Sequence, residues 1–566
     1  MAAYNTTAFA LIHSSKGGVH IKVSDLLIKC LEQEGVEYIF GIPGEETLDI
    51  MESLRDSKIK FILTRHEQGA AFMADVYGRL TGKAGVCLAT LGPGATNLIT
   101  GVADANLDQA PLVAITGQKG LKGMHKESHQ YIDVVEMFKP ITKWNTQIKS
   151  GEVVPEIIRK AFKEATSEKP GAVHIELPED IAGASVDDRI FPLKPNGFRI
   201  GTPEETDIDR TVKLLQEAKK PIILAGNGVI RAGASDELIK FAEKNQIPVA
   251  NTFMGKGVIP YTHPLSLMTI GLQSHDYVTC GFDAADLIIT IGYDFVEYEP
   301  ALWNHDKNKK IIHIDTNMAE VDVHYRAGVE IIADIKETLN ILTAKTGFDK
   351  SWEMVTTLRK MILDELSLHH DNKDFPVKPQ KLIHDLRHCL DDEDILISDV
   401  GAHKMWIARM YLAAKPNSVI ISNGYATMGI AVPGGIAAKL AHTNKKVVAV
   451  TGDGGFMMNS QEIETAVRLK IPYVVVVVND EHYGLIKWKQ EARFKNYTGV
   501  SFKNPNFVTY AESFGAKGYH IGKTEDLIPT IKNALNDNVV SIISVPIDYS
   551  ENMKLTKKLG QNICPI

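Results

Sequence analysis

A single strand–helix–strand unit constrains the fold of this chain more than any other feature. The apolar run 447–450 predicts a buried strand that breaks into a glycine-rich turn containing Asp453, and a helical stretch follows from Ser460. A second apolar run, 473–478, predicts a strand that is followed by Asp480. Units of this kind join parallel strands in α/β folds. Because parallel sheets bind ligands outside the carboxyl ends of their strands, the two aspartates lie where a ligand is expected.

Two carboxylates beside glycines suit a magnesium ion that carries a phosphate or diphosphate. Mg²⁺ prefers hard oxygen ligands, and a glycine-rich turn lets backbone N–H groups approach phosphate oxygens. The spacing alone leaves a second interpretation open, in which Asp453 and Asp480 are solvated loop residues. The sequence therefore predicts a metal and phosphate site that needs support from elsewhere in the chain.

Length, charge and cysteine usage exclude several classes of protein. The 566 residues exceed what one hydrophobic core holds and predict about three domains. A formal net charge of -8 and a pI near 6.2 argue against nucleic-acid binding, which leaves a basic footprint. No run approaches the ~18 apolar residues of a membrane span. The cysteines lie far apart without a CxxC pair, which fits a reducing compartment, so we expect a cytoplasmic protein without membrane contact.

The alternation of helical and strand patterns predicts three successive domains of similar size. We expect them at residues 20–185, 205–345 and 379–550, each an α/β domain with a doubly wound parallel sheet. A polar, proline-bearing stretch and a charged, helical connector separate them. In the middle domain, Gly226-Asn227-Gly228 follows a strand as a dinucleotide-binding turn does. No third glycine stands in register and no acidic residue closes the next strand, so we interpret it as a structural turn.

Two long segments resemble the thiamine-diphosphate-dependent enzymes. GDGGFMMNSQEIETAVRLKIPYVVVVVND is similar to their diphosphate and metal motif. IFGIPGEETLD and TRHEQGAAFMADVYGRLTGKAGVCLATLGPGATNLITGVADA resemble the pyrimidine-binding domain of the acetolactate synthase group. The resemblance covers nearly the whole chain. It implies the thiamine-diphosphate-binding fold twice, as an N-terminal pyrimidine domain and a C-terminal diphosphate domain, with a Rossmann-like domain between them.

The resemblance also implies a role for each residue that matches a family motif. Glu67 would hydrogen-bond the aminopyrimidine of the cofactor, and Gln130 would lie near the reacting carbon. From the residues alone, Glu67 could equally be an exposed helix glutamate, and Gln130 could be a surface loop amide. The metal would be held by side-chain oxygens of Asp453 and Asp480 and by the carbonyl of His482. The implied cofactor-binding set is Val400, Gly401, Ala402, His403, Ala426, Met428, Asp453, Gly454, Gly455, Asp480, His482, Gly484, Leu485 and Ile486.

Residues outside the cofactor motif indicate which reaction to expect. Acetolactate synthases that bind FAD carry an arginine-bearing run in the central domain. The segment 291–304 of this chain, IGYDFVEYEPALWN, has no arginine and resembles the FAD-free, catabolic acetolactate synthases. The resemblance therefore implies condensation of two pyruvate molecules to 2-acetolactate, with thiamine diphosphate and Mg²⁺ and without FAD. A related 2-keto acid decarboxylase or carboligase with another donor or acceptor stays open, as does a non-catalytic homologue that binds the cofactor.

Some positions depart from the family pattern. Glu46 stands where the catabolic enzymes carry lysine, and Ala402 stands where the family usually has glutamine. Lys487 and Lys489 also differ from the residues expected beside the substrate. A carboxylate at Glu46 would repel the carboxylate of pyruvate unless a nearby cation offsets it, so the acceptor keto acid stays open. The resemblance further implies a homodimer or homotetramer whose active sites are shared between subunits.

Overall fold

The computed structural model describes residues 20–197, 199–271 and 276–553. These residues form three six-stranded sheets in which every pair of neighbouring strands is parallel. A short antiparallel ribbon, His20–Lys22 with Ser185–Asp187, joins the two ends of the first unit. The prediction of three successive parallel-sheet α/β units is confirmed. No helix among the described residues is long and apolar enough to cross a membrane.

The inner strands of the first sheet are buried on both faces, whereas its edge strands are partly exposed. Ala172–Pro178 is buried at every residue, as expected when helices cover both sides of a parallel sheet. In spatial order the strands are Lys60–Leu63, Tyr38–Gly41, Gly85–Ala89, Leu112–Gln118, Ala172–Pro178 and Trp144–Gln147. The helices are Val23–Gln33, Leu48–Arg55, Glu67–Thr81, Pro93–Leu107, Val134–Phe138, Val154–Thr166 and Glu179–Ala182.

The central sheet has the strand order of a Rossmann fold. Its strands, in spatial order, are Ser266–Thr269, Val249–Asn251, Pro221–Ala225, Leu287–Ile291, Lys310–Asp315 and Ala327–Ile332. Along the chain, the first three strands are added from the middle of the sheet to one edge, and the last three are added from the middle to the other edge. This is the doubly wound order. The helices are Glu205–Glu217, Asn227–Arg231, Ser235–Asn245, Tyr277–Ala284 and Ile335–Lys345, with Glu353–Leu366 in the connector.

The third sheet repeats the topology of the first. In spatial order its strands are Val419–Ile421, Ile395–Ser398, Val447–Gly452, Val474–Asn479, Ser541–Pro546 and Lys517–His520. The helices are Pro379–Cys389, Ala402–Met410, Ala431–Ala441, Asp453–Asn459, Glu462–Arg468, Gly484–Phe494, Phe507–Ser513 and Leu527–Leu535. The chain changes direction across the sheet between Ile395–Ser398 and Val447–Gly452, and ligands bind at such a switch point.

The first and third units share one hydrophobic core. Phe72 from the first unit and Ile436 and Val475 from the third belong to the same buried cluster. Helix Glu67–Thr81 packs closely on Ala431–Ala441 and on Pro93–Leu107. Because this packing is apolar and continuous, the first unit holds the carboxyl edge of the third sheet in a fixed position.

Candidate active site

The carboxyl ends of the third sheet surround a cavity of about 240 Å³. Every residue of the implied cofactor-binding set, which does not include Glu67, lines this one cavity. These residues are Val400, Gly401, Ala402, His403, Ala426, Met428, Asp453, Gly454, Gly455, Asp480, His482, Gly484, Leu485 and Ile486. Residues up to 86 positions apart in the chain (400 to 486) therefore converge on one space.

Asp453 lies at the base of the cavity and is held by backbone donors. Only 1% of its surface is exposed. Its carboxylate accepts hydrogen bonds from the N–H groups of Gly454 at 2.9 Å and Glu481 at 2.7 Å, and from Asn504 Nδ2 at 2.7 Å. The stretch predicted to be helical from Ser460 forms the helix Glu462–Arg468, and the structure adds a short helix before it, Asp453–Asn459, which was not predicted. A carboxylate is favoured in that first helical turn, where N–H groups lack partners within the helix.

The second carboxyl group, that of Asp480, is destabilised as an anion in the protein alone. Burial, together with the neighbouring negative charge of Asp453, raises the pKa of Asp480 to about 7. Burial also raises the pKa of Asp453. A divalent cation between the two carboxylates would remove this repulsion, so the pair fits a bound cation.

The donor set suits magnesium bound together with an anionic ligand. Within residues 20–197, 199–271 and 276–553, no group of three or more His, Cys, Asp or Glu side chains could hold a metal ion. Mg²⁺ is commonly held by one or two carboxylates plus phosphate oxygens. Two aspartates that face a cavity next to glycines therefore fit a magnesium–diphosphate unit better than a bare ion.

His403 offers an unused nitrogen to such a ligand. The side chain is 5% exposed, and burial lowers the pKa of His403 to about 4, so the free ring is neutral at pH 7. Its Nε2 atom is buried and has no hydrogen-bond partner in the described part of the chain. Buried polar atoms are normally paired, so a diphosphate oxygen is a suitable partner for this nitrogen.

Asp399, which was not predicted as a site residue, links two walls of the cavity by hydrogen bonds. Its carboxylate accepts from the N–H groups of Val400 at 2.7 Å and Gly429 at 2.8 Å, and from Thr451 Oγ1 at 3.0 Å. Burial raises the pKa of Asp399 to about 6, although these donors favour the anion. Asp399 follows the strand Ile395–Ser398 directly, so the rule that singled out Asp453 could also have found it.

Four further residues line the cavity. Gly452 and Val478 belong to the diphosphate motif, whereas Tyr483 and Tyr549 lie outside it. Tyr549 follows the strand Ser541–Pro546, far along the chain from the motif. Its place at the site depends on that strand pairing with Val474–Asn479.

Glu67 lies on the first unit and does not line this cavity. It is the first residue of its helix and only 8% exposed, so the interpretation as an exposed helix glutamate is wrong. Asn97 Nδ2 donates to Glu67 Oε2 at 2.9 Å. The loop before it is held by Glu462 Oε1, which accepts from the N–H groups of Arg65 and His66 at 3.0 Å each. The carboxyl group of Glu67 is therefore fixed in a buried position.

Gln130 and Glu46 lie near the same carboxyl edge of the first sheet. Gln130 is exposed on a loop that packs on the turn at Gly92, where an added Cβ would come within 2.6 Å of the Gln130 carbonyl oxygen. Its interpretation as a surface amide therefore stays open. Glu46 is half-buried and accepts from Thr90 Oγ1 at 2.6 Å. Neither Lys487 nor Lys489 is paired with Glu46 within the chain. The Lys487 ammonium is 4.7 Å from the Tyr497 ring centroid, and Lys489 is exposed.

Three family models match most of the chain. They describe the N-terminal TPP binding domain, the central domain and the C-terminal TPP binding domain of thiamine pyrophosphate enzymes, and they match residues 21–137, 208–342 and 399–545. This chain belongs to the thiamine pyrophosphate enzymes. The predicted cofactor residues of this enzyme fall within the C-terminal match and Glu67 falls within the N-terminal one.

Named relatives of this thiamine pyrophosphate enzyme extend over nearly its full length. A probable acetolactate synthase large subunit of Methanocaldococcus jannaschii is 37% identical, over 96% of this chain and 94% of the relative. An acetolactate synthase of Bacillus subtilis is 34% identical, over 95% and 96%. A catabolic acetolactate synthase of Raoultella terrigena is 33% identical, over 95% and 97%.

Proposed function

We propose that this thiamine pyrophosphate enzyme is an acetolactate synthase, which condenses two pyruvate molecules into 2-acetolactate and releases CO₂. The observation that carries the proposal is the cavity that gathers the predicted cofactor residues around Asp453 and Asp480. The relatives that bear the name acetolactate synthase support the choice of reaction, since they align with the chain almost end to end.

Different lining residues would bind the metal ion and the diphosphate of the cofactor. Asp453 and Asp480 would share Mg²⁺ with diphosphate oxygens and with the carbonyl of His482. The N–H of Gly454 donates to Asp453, and Gly455, which lines the cavity in the first helical turn, would supply a backbone donor to the diphosphate. His403 would hydrogen-bond a diphosphate oxygen through Nε2.

The remaining residues would orient the cofactor and exclude water from it. When bound, thiamine diphosphate supplies a carbon nucleophile that adds to the keto carbon of pyruvate and accepts the electrons released with CO₂. Glu67 would share a proton with the pyrimidine ring, and Asn97 holds its carboxyl group in one orientation. Met428 would press on the cofactor from the cavity wall, and Leu485 and Ile486 would cover the pyrimidine and reduce access of water.

We expect the central domain to work without FAD. The turn at Gly226 uses its donors internally, because the N–H of Asn227 donates to both carboxylate oxygens of Glu297 at 3.1 Å. In a dinucleotide-binding turn, the backbone N–H at this position donates to a phosphate oxygen of the ligand. The neighbouring Lys169 is paired with Asp294 and is not free to bind phosphate.

We also propose that a second copy of the chain completes each site. Glu67 has no place among the residues that line the cavity of its own chain. A partner copy would bring its Glu67 to this cavity, which makes the dimer the smallest active unit. The assembly would be a homodimer or a homotetramer.

One observation favours a carboligase with another acceptor as the second candidate. Glu46 presents a half-buried carboxylate bonded to Thr90 at the carboxyl edge of the first sheet. A negative charge there would weaken binding of a second 2-keto acid and favour a neutral acceptor. A neutral aldehyde in place of the second pyruvate would give a hydroxyketone and not acetolactate.

Product analysis tests the proposed function. The purified protein is incubated with pyruvate, thiamine diphosphate and Mg²⁺, and parallel reactions omit Mg²⁺ or add FAD. We expect 2-acetolactate, scored as acetoin after acid treatment, with loss of product without Mg²⁺ and no gain with FAD. Free acetaldehyde as the main product would indicate a decarboxylase. No CO₂ release by protein that binds the cofactor would indicate a non-catalytic homologue.

A further inference from the structure

A buried cluster of ionisable side chains lies away from the cavity, between two helices of the first unit. Asp75 and Arg79 come from helix Glu67–Thr81, and Asp104 and Asp108 come from the end of Pro93–Leu107. The three aspartates have no exposed surface and the Arg79 side chain is 7% exposed. Arg79 pairs with Asp75 and Asp108 at 2.6 Å each and with Asp104 at 3.2 Å. One guanidinium therefore faces three carboxyl groups.

The cluster holds a loop of the third unit. Asp104 Oδ1 accepts from Ser422 Oγ and Thr427 Oγ1 at 2.7 Å each. Asp108 accepts from the backbone N–H groups of Asn423, at 3.0 Å, and Gly424. Arg79 Nη1 also donates to the carbonyl oxygen of Ile421 at 3.1 Å. Five polar groups of residues 421–427 are thus bonded to the first unit.

The same loop forms a wall of the candidate cofactor cavity. Residues 422–428 contain Ala426 and Met428, both of which line the cavity. Thr427, whose hydroxyl is bonded to Asp104, stands between them in the chain. Ala426 has a φ of 58°, a conformation that L-residues adopt rarely and that surrounding contacts must maintain. The bond to Thr427 therefore restrains the backbone between the two residues that line the cavity.

The charges of the cluster favour a proton on Asp104. Burial raises the pKa of Asp104 well above its usual range, and the carboxylates of Asp108 and Asp75 raise it further, while Arg79 lowers it. Lys404 also faces the cluster; burial lowers its pKa to about 8, although Asp108 and Asp104 oppose that shift. A neutral Asp104 still accepts hydrogen bonds through Oδ1, so an amide is a close substitute for it.

We propose that Asp104 and Asp108 are positioning residues for cofactor binding, since they fix the loop 422–428 and thereby the place of Met428 in the cavity. The inference rests on the proposed function, because it requires thiamine diphosphate in that cavity. The two helices that carry the cluster also fix Glu67, which begins one of them and is bonded to Asn97 on the other. A single pair of helices therefore fixes the positions of both the Glu67 carboxyl group and the loop 422–428.

Thr427→Val tests the proposal on the loop side, because it removes the hydroxyl and keeps the shape of the side chain. The dissociation constant of thiamine diphosphate, measured by calorimetry in excess Mg²⁺, should rise about tenfold, within the usual range of coupling between contacting groups. The turnover number at saturating cofactor should also fall, because Met428 is displaced. The matched control is Thr338→Val, a fully buried threonine whose hydroxyl donates to the Asp334 carbonyl in the central unit. It should lower the melting temperature to a similar extent and leave cofactor affinity unchanged.

Variants of Asp104 test the proposal from the other side. Asp104→Asn keeps an acceptor oxygen and should stay within about threefold of the wild-type cofactor affinity, whereas Asp104→Leu should weaken it as Thr427→Val does. In the double variant with Asp104→Leu, Thr427→Val should have no further effect on affinity.

The outcomes separate this inference from the proposed function. If Thr427→Val lowers the melting temperature like the control and leaves the dissociation constant unchanged, the cluster holds the fold only and the inference is wrong. That result is decisive even if Asp104→Leu does not fold. If the wild-type protein binds no thiamine diphosphate, the proposed function itself fails. Binding with a different product would overturn the proposed reaction and leave the positioning role standing.

Discussion

At the scale of single residues, burial decides which carboxyl groups hold protons near neutral pH. Burial raises the pKa of Glu462 to about 7, that of Asp480 to about 7 and that of Asp399 to about 6. Each of these groups touches a loop of the candidate site. Carboxyl groups with such pKa values exchange protons near neutral pH, and strongly shifted pKa values are concentrated at functional sites.

Glu67→Gln tests the residue proposed to share a proton with the cofactor. The amide keeps the shape of the side chain and can still bond to Asn97, but it cannot exchange a proton. We expect the turnover number to fall by about 10²–10⁴-fold, the usual contribution of a positioned acid or base. The dissociation constant of thiamine diphosphate should change little. Steady-state kinetics and calorimetry measure the two quantities.

An exposed helix residue provides the control for that change. Glu512→Gln alters an exposed glutamate in the helix Phe507–Ser513 and should leave turnover at the wild-type level. Full turnover by Glu67→Gln would remove Glu67 from the proposed mechanism.

At the scale of elements, a buried carboxyl group closes the turn that a dinucleotide would occupy in the central domain. Glu297 accepts from the N–H of Asn227 and from Thr252 Oγ1. Burial raises the pKa of Glu297 from 4.5 to about 7. The folded state therefore binds this proton more tightly than the unfolded state. The stabilising contribution is fully present below pH 4.5 and is lost as the pH rises through about 7.

Glu297→Gln should reveal this pH dependence as a difference from the wild type. The amide does not titrate, so the free energy of unfolding of the variant relative to the wild type should increase between pH 4.5 and about 7. The increase should reach up to ~3 kcal/mol and then level off. Melting temperatures measured across this range would show it. Glu299→Gln, at an exposed position of the same loop, should give a constant difference. A constant difference for Glu297→Gln as well would mean that this carboxyl group is not buried in its neutral form.

At the scale of the whole molecule, the first and third units are one packed body, yet the groups proposed for catalysis do not meet within one chain. Phe72 and Val475 share a core, whereas Glu67 does not line the cavity around Asp453. The symmetric dimer that we propose would resolve this separation, because the first unit of each copy could face the third unit of the other. Assembly, and not folding alone, would then complete the site.

Subunit mixing tests the shared site. Chains with Glu67→Gln are mixed with chains with Asp453→Ala, each inactive alone. In a mixed dimer one site would carry both substitutions and the other would carry neither. Random exchange of subunits should therefore restore about a quarter of the wild-type turnover. Mixing two differently tagged preparations of Glu67→Gln should restore none. If mixed dimers form, as shown by co-purification of both tags, and no activity returns, each site is built from a single chain.

Much of the architecture could be predicted because local patterns specify it. Apolar runs bounded by glycine and polar residues predicted the strands Leu112–Gln118 and Leu287–Ile291, since a parallel sheet buries both faces of each strand. Edge strands such as Trp144–Gln147 and Lys517–His520 were not predicted, because half-exposed, polar residues carry no such pattern. The short helix Asp453–Asn459 was not predicted either, because the donors that hold the Asp453 carboxylate come from Glu481 and Asn504, elsewhere in the chain.

The sheet class, the two aspartates at the strand ends and the family motif could be predicted, because each depends on residues that are close together in the chain. Three contacts could not be predicted from local sequence: Asp399 joins two cavity walls, Glu297 bonds to the turn of the central domain and Asp104 bonds to Thr427. These contacts join residues 30, 70 and 323 positions apart. Their strength depends on burial, and burial is a property of the packed elements that no local stretch of sequence contains.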